Sequence, residues 1–557
     1  MIELLVVIVT AIVVIAAAGV VGPRIGVAAP LVLVAIGVAA SFLPIFAELH
    51  IEPEWILEGV LPPLLYASAV SMPTMNFRRE FGAISGLSVL LVVGSALVLG
   101  VFFMLVIPDL GFAWGVALGA IVSPTDAVAT SIIKQTSVSK RVVAILDGES
   151  LLNDATALVL LRTAIAATAV SFSFLGALGT FAWSVVVAVV VGWLVGRLNL
   201  LVRRRVTDST VNTVISFAVP FVASVPAELL DGSGLVAAVV AGLVTGIRAP
   251  RELSPLNRLS DTQNWRTVAL VLEGAVFLTM GLQIKAILAS VEEDHALVGG
   301  AVLVAAAALV LTIVVRAAYV APLLGFLHSR SRRGERMYDR LQVAAEKIAT
   351  PEGKQETFDE WNNRRGRTPT EHDLDRFALR VTRVLADLEY FAREPLRWRE
   401  GTAVVWAGMR GAVTVAAAQT LPEATPQRSL LVLVAFAVAL ISLLVQGGTI
   451  GPLLTRITPK ADPDEVDEQA DAESKKIMQL LRTSAQSVPA APRIKGDPSP
   501  AQFDAAKEHR LAVLDAQRAA LLDARDNGTF DADVLTHALA SLDASQIAIE
   551  LRGTPAG

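Results

Sequence analysis

The feature that most limits how this chain can fold is the length of its apolar runs. They recur at about 17 to 25 residues, the length an α-helix needs to cross a hydrocarbon core of about 30 Å. A lipid interior offers backbone groups no partner, so such runs are restricted to helices that bond internally. Composition agrees: 54% of the 557 residues are hydrophobic, 18% are charged and the mean hydropathy is +0.59, too apolar for an ordinary soluble enzyme. The fold class is an all-α polytopic membrane protein.

Hydropathy places about thirteen transmembrane helices, centred near residues 12, 35, 64, 95, 120, 154, 185, 217, 240, 275, 310, 412 and 441. The first run, MIELLVVIVTAIVVIAAAGVVG, lacks the basic region of a cleavable signal peptide and is read as a span. Lys and Arg gather in alternate connections: Arg24; Arg78 and Arg79; Lys134, Lys140 and Arg141; Arg197 and Arg203 to Arg205; Arg248, Arg251 and Arg258. By the positive-inside rule these loops and the C-terminus are cytoplasmic, the N-terminus is outside, and the membrane is the cell's plasma membrane. The run Arg203 to Arg205 reads most simply as a topology determinant, with anionic lipid as a contact. Residues 1–327 and 401–456 form the transport part, 328–400 a charged cytoplasmic insert with a TEHD helix-start signal, and 457–557 a helical tail behind a Pro-rich linker. What the tail binds is left open.

There is no cysteine, which excludes disulfides and thiolate chemistry, and none of the six histidines falls inside an expected span. Protons that cross must therefore use carboxylates. No nucleophile–base pair, His/Asp cluster or phosphate-binding glycine loop accompanies the spans, so neither an enzyme, nor a cofactor, nor a nucleic-acid partner is expected.

Against that background the stretch LDGESLLNDATALVLL, residues 146–161, is unusual. On a helix Glu149, Ser150, Asn153 and Asp154 share one narrow face, and ionisable groups at membrane depth are either paired or functional. Asp147 at the helix start is read as a terminal acid. In the preceding span, GVALGAIVSPTDAVATSII, Pro124 interrupts the helix between Ser123 and Thr125, and Asp126 follows. Late in the chain VVWAGMRGAVTVAAAQ sets Arg410 between Gly408 and Gly411. Glycine admits unwound backbone, and a guanidinium there meets the negative ends of broken half-helices. One interrupted span in each half points to inverted repeats around a midplane site. Arg316, a second intramembrane cation, needs a buried anion, for which Glu149 is chosen. Glu273 either lines a cytoplasmic funnel or makes an interhelical hydrogen bond.

The segments LPPLLYASAVSMP (61–73), SPTDAVA (123–129), GESLLNDATALVL (148–160), SGLVAAVVAGLVTG (233–246), EGAVFLTMGL (273–282) and GMRGAVTVAA (408–417) resemble, in order, the signature segments of the monovalent cation:proton antiporters, the sodium/proton exchanger kind. The resemblance covers roughly residues 1 to 456 and implies a homodimer whose protomers each contain two crossed broken helices and work by elevator-like alternating access. Position by position it implies that Asp154 binds cation or proton and that Asn153 holds the crossing. Thr125 and Ser150 would be ligands of the monovalent metal ion, and Asp126 would act through water or the half-helix ends. Glu149 would pair with Arg316, and Arg410 would steady the crossing beside Pro124. Members with Asn before the Asp look electroneutral, so one cation per proton is expected. Na⁺ is the expected cation, with Li⁺ and K⁺ open. One departure stands out: where many members carry an acid in the third span, this chain reads Ala67 and Ser68, which thins the ligand shell. The rival readings are a cation channel on the same fold and a transporter-derived sensor acting through its tail.

Overall fold

In the computed structural model the described residues are 2–44, 52–134, 136, 138–169, 174–293, 298–350, 353, 355–356, 370–458, 463–490 and 500–551. His50 and His295, and most of the Pro-rich linker, lie outside them. All regular elements among the described residues are helices. The chain divides into two compact units. The first comprises Met1–Leu253, Asn257–Leu323 and Trp398–Pro459; the second comprises Ser254–Leu256, Leu324–Arg397 and Lys460–Gly557.

Nine helices among the described residues are long and apolar enough to cross a membrane, and each contains one of the expected span centres. The other four centres fall on shorter or interrupted segments. Ala29–Ser41 and Trp55–Ser71 are continuous but short. Phe112–Val122 is followed by Val128–Ile133, and Trp398–Trp406 by Ala412–Gln419, each pair separated by a non-helical break. Pro124 accounts for the first break, because proline lacks an N–H and obstructs the carbonyl four residues back.

Small residues set how closely the interrupted helices are held. A side chain at Gly119 would collide with the backbone carbonyl of Ala96, and one at Gly115 with that of Gly100. The helix pair Thr74–Val106 and Phe112–Val122 is therefore in backbone contact. Gly37 and Gly281 meet in the same way, a Cβ on Gly37 lying 2.5 Å from the Leu278 carbonyl. Around these contacts the apolar interior is continuous, with Leu61, Leu65, Leu151, Ala155, Leu235 and Val239 in one cluster.

Two basic residues depart from their reading as loop charges. Arg203 is fully buried, 3.0 Å from Asp261, and donates to Asn212 Oδ1 at 2.8 Å. Only Arg204 and Arg205 of that run are exposed and available to set topology. Arg141 is likewise buried against Glu80 at 2.6 Å. Charge counting along a sequence sees the cation but not the acid that a neighbouring helix brings to it.

The second unit packs Glu371–Arg393, Pro463–Gln486, Pro500–Asn527 and Ala532–Leu551. Its core includes Ile477, Leu514, Leu521, Leu535 and Leu542. The TEHD signal is realised as a capping box, the Asp373 carboxylate accepting from the Thr370 N–H at 3.1 Å.

The backbone contacts give a direct test. Gly119→Val is expected to destabilise the protein by about 1–3 kcal/mol through overpacking. Gly94→Val, on the partner helix of that packed pair but with nothing within 4 Å of the added carbon, is expected to leave stability unchanged. Thermal unfolding in detergent compares them; equal midpoints would contradict the packing described.

Candidate functional site

The two breaks cross, and backbone groups tie them together. The Asp126 N–H donates to the Met409 carbonyl at 2.7 Å. Arg410, 2% exposed, donates from Nε to the Val122 carbonyl at 2.9 Å, from Nη2 to the Ser123 carbonyl at 3.3 Å, and from Nη1 to the Gly408 carbonyl. These oxygens belong to the C-terminal ends of Phe112–Val122 and Trp398–Trp406. Each helix C-terminus carries about half a negative charge, so two of them together balance about one guanidinium. Asp126 occupies the complementary position. Its Oδ1 accepts from the Val128 N–H at 3.0 Å, and its Oδ2 lies against Gly411, where any side chain would overlap it. The carboxylate thus sits at the positive ends of the two second half-helices.

Glycine is required at both flanks of Arg410 for separate reasons. At Gly411 the space is taken by Asp126, and at Gly408 a Cβ would lie 2.8 Å from Arg316 Cδ and 2.9 Å from its Nε. Arg316 itself forms a two-pronged ion pair with Glu149, Nη1 to Oε1 at 2.5 Å and Nη2 to Oε2 at 2.7 Å, and its Nε donates to the Val404 carbonyl at 2.8 Å. Both partners are almost fully buried. The paired, bidentate geometry is the strong form of such a contact.

The Lys140–Ala169 helix carries the acids past the first break. Asn153, with no exposed surface, donates from Nδ2 to Thr125 Oγ1 at 2.7 Å and to the Thr125 carbonyl at 3.0 Å. The Thr125 hydroxyl in turn donates to Glu149 Oε1 at 3.1 Å. Asn153, Thr125, Glu149 and Arg316 are therefore one connected network, with Pro124 beside it.

Asp154 stands outside that network. It is half-buried and lines a small apolar cavity with Pro124, Leu158, Val413 and Ala417. Among the described residues its carboxylate has no hydrogen bond and no ion pair. Ser150, one turn earlier, donates its hydroxyl to the Asp147 carbonyl at 3.1 Å. Asp147 is not the helix-start acid expected, because the helix begins at Lys140, two turns earlier; it pairs with Lys134 at 2.9 Å. Glu273 is half-buried and makes no hydrogen bond among the described residues, so that reading of it is not realised. No cluster of three His, Asp or Glu able to hold a resident metal occurs among the described residues.

Two residues that sequence reasoning passed over also reach the crossing. Ser442 and Gln446, both fully buried, bond to the second break from the Arg428–Ile457 segment. A fully polar glutamine inside an apolar run was the available signal.

Residues 8–343 and 377–456 match the family described as "Sodium/hydrogen exchanger, transmembrane". An uncharacterized Na⁺/H⁺ exchanger of Escherichia coli K12, YjcE, is 34% identical over 46% of this chain, an alignment that spans only about half (49%) of that relative. An uncharacterized Na⁺/H⁺ exchanger of Mycobacterium tuberculosis H37Rv is 25% identical over 98% of this chain and 96% of its own length. The Bacillus subtilis protein named sodium, potassium, lithium and rubidium/H⁺ antiporter is 30% identical over 48% of this chain and 41% of its own. The solved sodium proton antiporter MjNhaP1 of Methanocaldococcus jannaschii shares the fold at a TM-score of 0.54 and 15% identity, covering 82% of this chain and 99% of that one.

Removing one member of the buried ion pair strands the other. Glu149→Ala is expected to cost about 3–5 kcal/mol by leaving the Arg316 charge unpaired. Replacing both residues together by apolar ones of similar volume is expected to cost less than the sum of the single changes. Thermal melting of the purified variants decides; an undiminished midpoint for Glu149→Ala would refute the pairing.

Proposed function

Because this chain belongs to the sodium/hydrogen exchanger family, we propose that it is a secondary antiporter that exchanges a monovalent cation for a proton at Asp154. One observation carries the residue assignment. Of the charged groups near the crossing, Arg410 and Asp126 are matched to half-helix ends and Arg316 to Glu149; Asp154 and Glu273 have no hydrogen bond or ion pair among the described residues, and of these two it is Asp154 that lines the cavity beside Pro124 at the first break. A carboxylate against apolar walls holds its charge only with a compensating ligand. A cation or a proton can supply that compensation, and each excludes the other.

In this reading the Thr125 and Ser150 oxygens complete the cation's ligand shell, with Asp126 acting through water. Asn153 is committed to Thr125 and is neutral, so a single carboxylate changes state per cycle. One cation then exchanges for one proton, and the cycle is electroneutral. Alternating exposure of the site to the two sides couples the two gradients. Na⁺ is assigned as the substrate, with Li⁺ and K⁺ as the alternatives. The name of the Bacillus relative supports a site open to several alkali cations, as does the loss of an acid at Ala67. The homodimer, the plasma membrane and an external N-terminus belong to the same proposal.

The test is exchange in proteoliposomes containing a pH dye, with Na⁺, Li⁺ or K⁺ added against an imposed proton gradient, with and without valinomycin. Wild type is expected to show cation-driven proton movement that clamping the voltage does not alter. Asp154→Asn, equal in size, is expected to abolish it while melting normally; retained exchange would refute the role of Asp154. Cation flux without proton movement would identify a channel instead. Competition also fixes the sign of the pH effect. The protonated carboxylate cannot bind the cation, so lowering pH is expected to raise the apparent cation KM, by up to about tenfold per pH unit. A pH-independent KM would contradict a shared site.

A further inference from the structure

The first break is held by Asn153, an amide from the neighbouring helix. The second break has a holder of its own, supplied by the Arg428–Ile457 segment. Ser442 Oγ accepts from the Arg410 N–H at 2.9 Å and donates to Gln446 Oε1 at 2.6 Å. Gln446 Nε2 then donates to the Trp406 carbonyl at 3.1 Å, a carbonyl that the break leaves without its helical partner. One turn on, Thr449 Oγ1 accepts from the Trp406 indole N–H at 3.0 Å. The backbone between these anchors is also confined, because Gly447 has Met409 Sδ 3.3 Å from where its Cβ would stand.

The helix is not regular where this occurs. Leu443–Gly447 is a π-helical turn between Arg428–Ser442 and Gly448–Ile457. Such single-turn bulges widen the helix and are frequent at functional sites. Here Ser442 precedes the bulge, Gln446 lies within it, and the two reach the two ends of the strip from Trp406 to Arg410. Ser442, Gln446, Met409 and Arg410 are all at most 2% exposed, so the hydrogen bonds are shielded from water.

We propose that Ser442 and Gln446 are positioning residues for the cation site, acting through the second break as Asn153 acts through the first. The chain of action is short. Ser442 fixes the Arg410 backbone, Gln446 fixes Trp406, and Met409 between them accepts from the Asp126 N–H. Displacing the strip moves Asp126 and the guanidinium that neutralises the half-helix ends, and with them the electrostatic setting of Asp154. Both residues are neutral, so they fix geometry without adding a second exchangeable charge. The proposal rests on the antiport reading above.

The test compares Gln446→Met, which keeps length but removes both hydrogen bonds, Ser442→Ala, and the double variant. If the residues act as one device, each single change is expected to raise the apparent cation KM about tenfold at constant pH, with the rate at saturating cation within about twofold of wild type. The double variant is expected to match the singles rather than multiply them. A purely structural role would instead lower the amount of active protein and the maximal rate at unchanged KM, and that outcome would overturn the proposal, as would multiplicative effects. Amide hydrogen exchange across 406–411 gives a readout that does not depend on transport. Gln446→Met is expected to accelerate exchange there and at Asp126, whose N–H bonds to the Met409 carbonyl; unchanged exchange at 406–411 would overturn the clamp. If wild type shows no cation-driven proton movement, the antiport reading fails, while the exchange measurement still judges the clamp.

Discussion

A charge at membrane depth is tolerable only when something cancels it, and the crossing of the two interrupted helices is built around that requirement. Breaking a helix exposes carbonyl oxygens on one side of the gap and N–H groups on the other. Two breaks laid across each other place two carbonyl ends together and two N–H ends together. Arg410 is set on the first pair and Asp126 on the second. Neither charge nor break is stable alone, and together they make an unwound midplane that costs little to keep.

The same accounting explains why three acids close in space have different parts. Asp126 is committed to the half-helix ends and Glu149 to Arg316, so each already has its partners within the protein. Asp154 lies beyond both commitments and against apolar walls, which is why the proposed exchange is assigned to it. The glycines on either side of Arg410 are part of this arrangement, because Arg316 and Asp126 occupy the volumes that side chains at 408 and 411 would need.

Neutral amides and hydroxyls then set the geometry that the charges alone leave loose. Asn153 spans the hydroxyl and carbonyl of Thr125, and Ser442 with Gln446 spans Arg410 and Trp406. Hydrogen bonds of this sort are directional where Coulomb attraction is not. They come from the helix following each break, so the two halves of the site are built on one plan with different residues.

Much of this was legible in the sequence. Apolar run length dictated helices and a membrane setting, proline and glycine marked both breaks, and the order of motifs pointed to the family that residues 8–343 and 377–456 match. Those properties are local, set by transfer free energies and backbone restrictions of a few neighbouring residues. Pairing was decided only by the fold. Arg203 read as a loop charge until Asp261 was brought beside it, and Ser442 and Gln446 carried no motif. The contacts that commit Glu149 to Arg316, 167 residues away, and Arg410 to the Val122 carbonyl, 288 residues away, join segments far apart in the chain, and glycine at 408 and 411 leaves the room that Arg316 and Asp126 occupy. A sequence states which charges must be compensated; the tertiary structure decides by what.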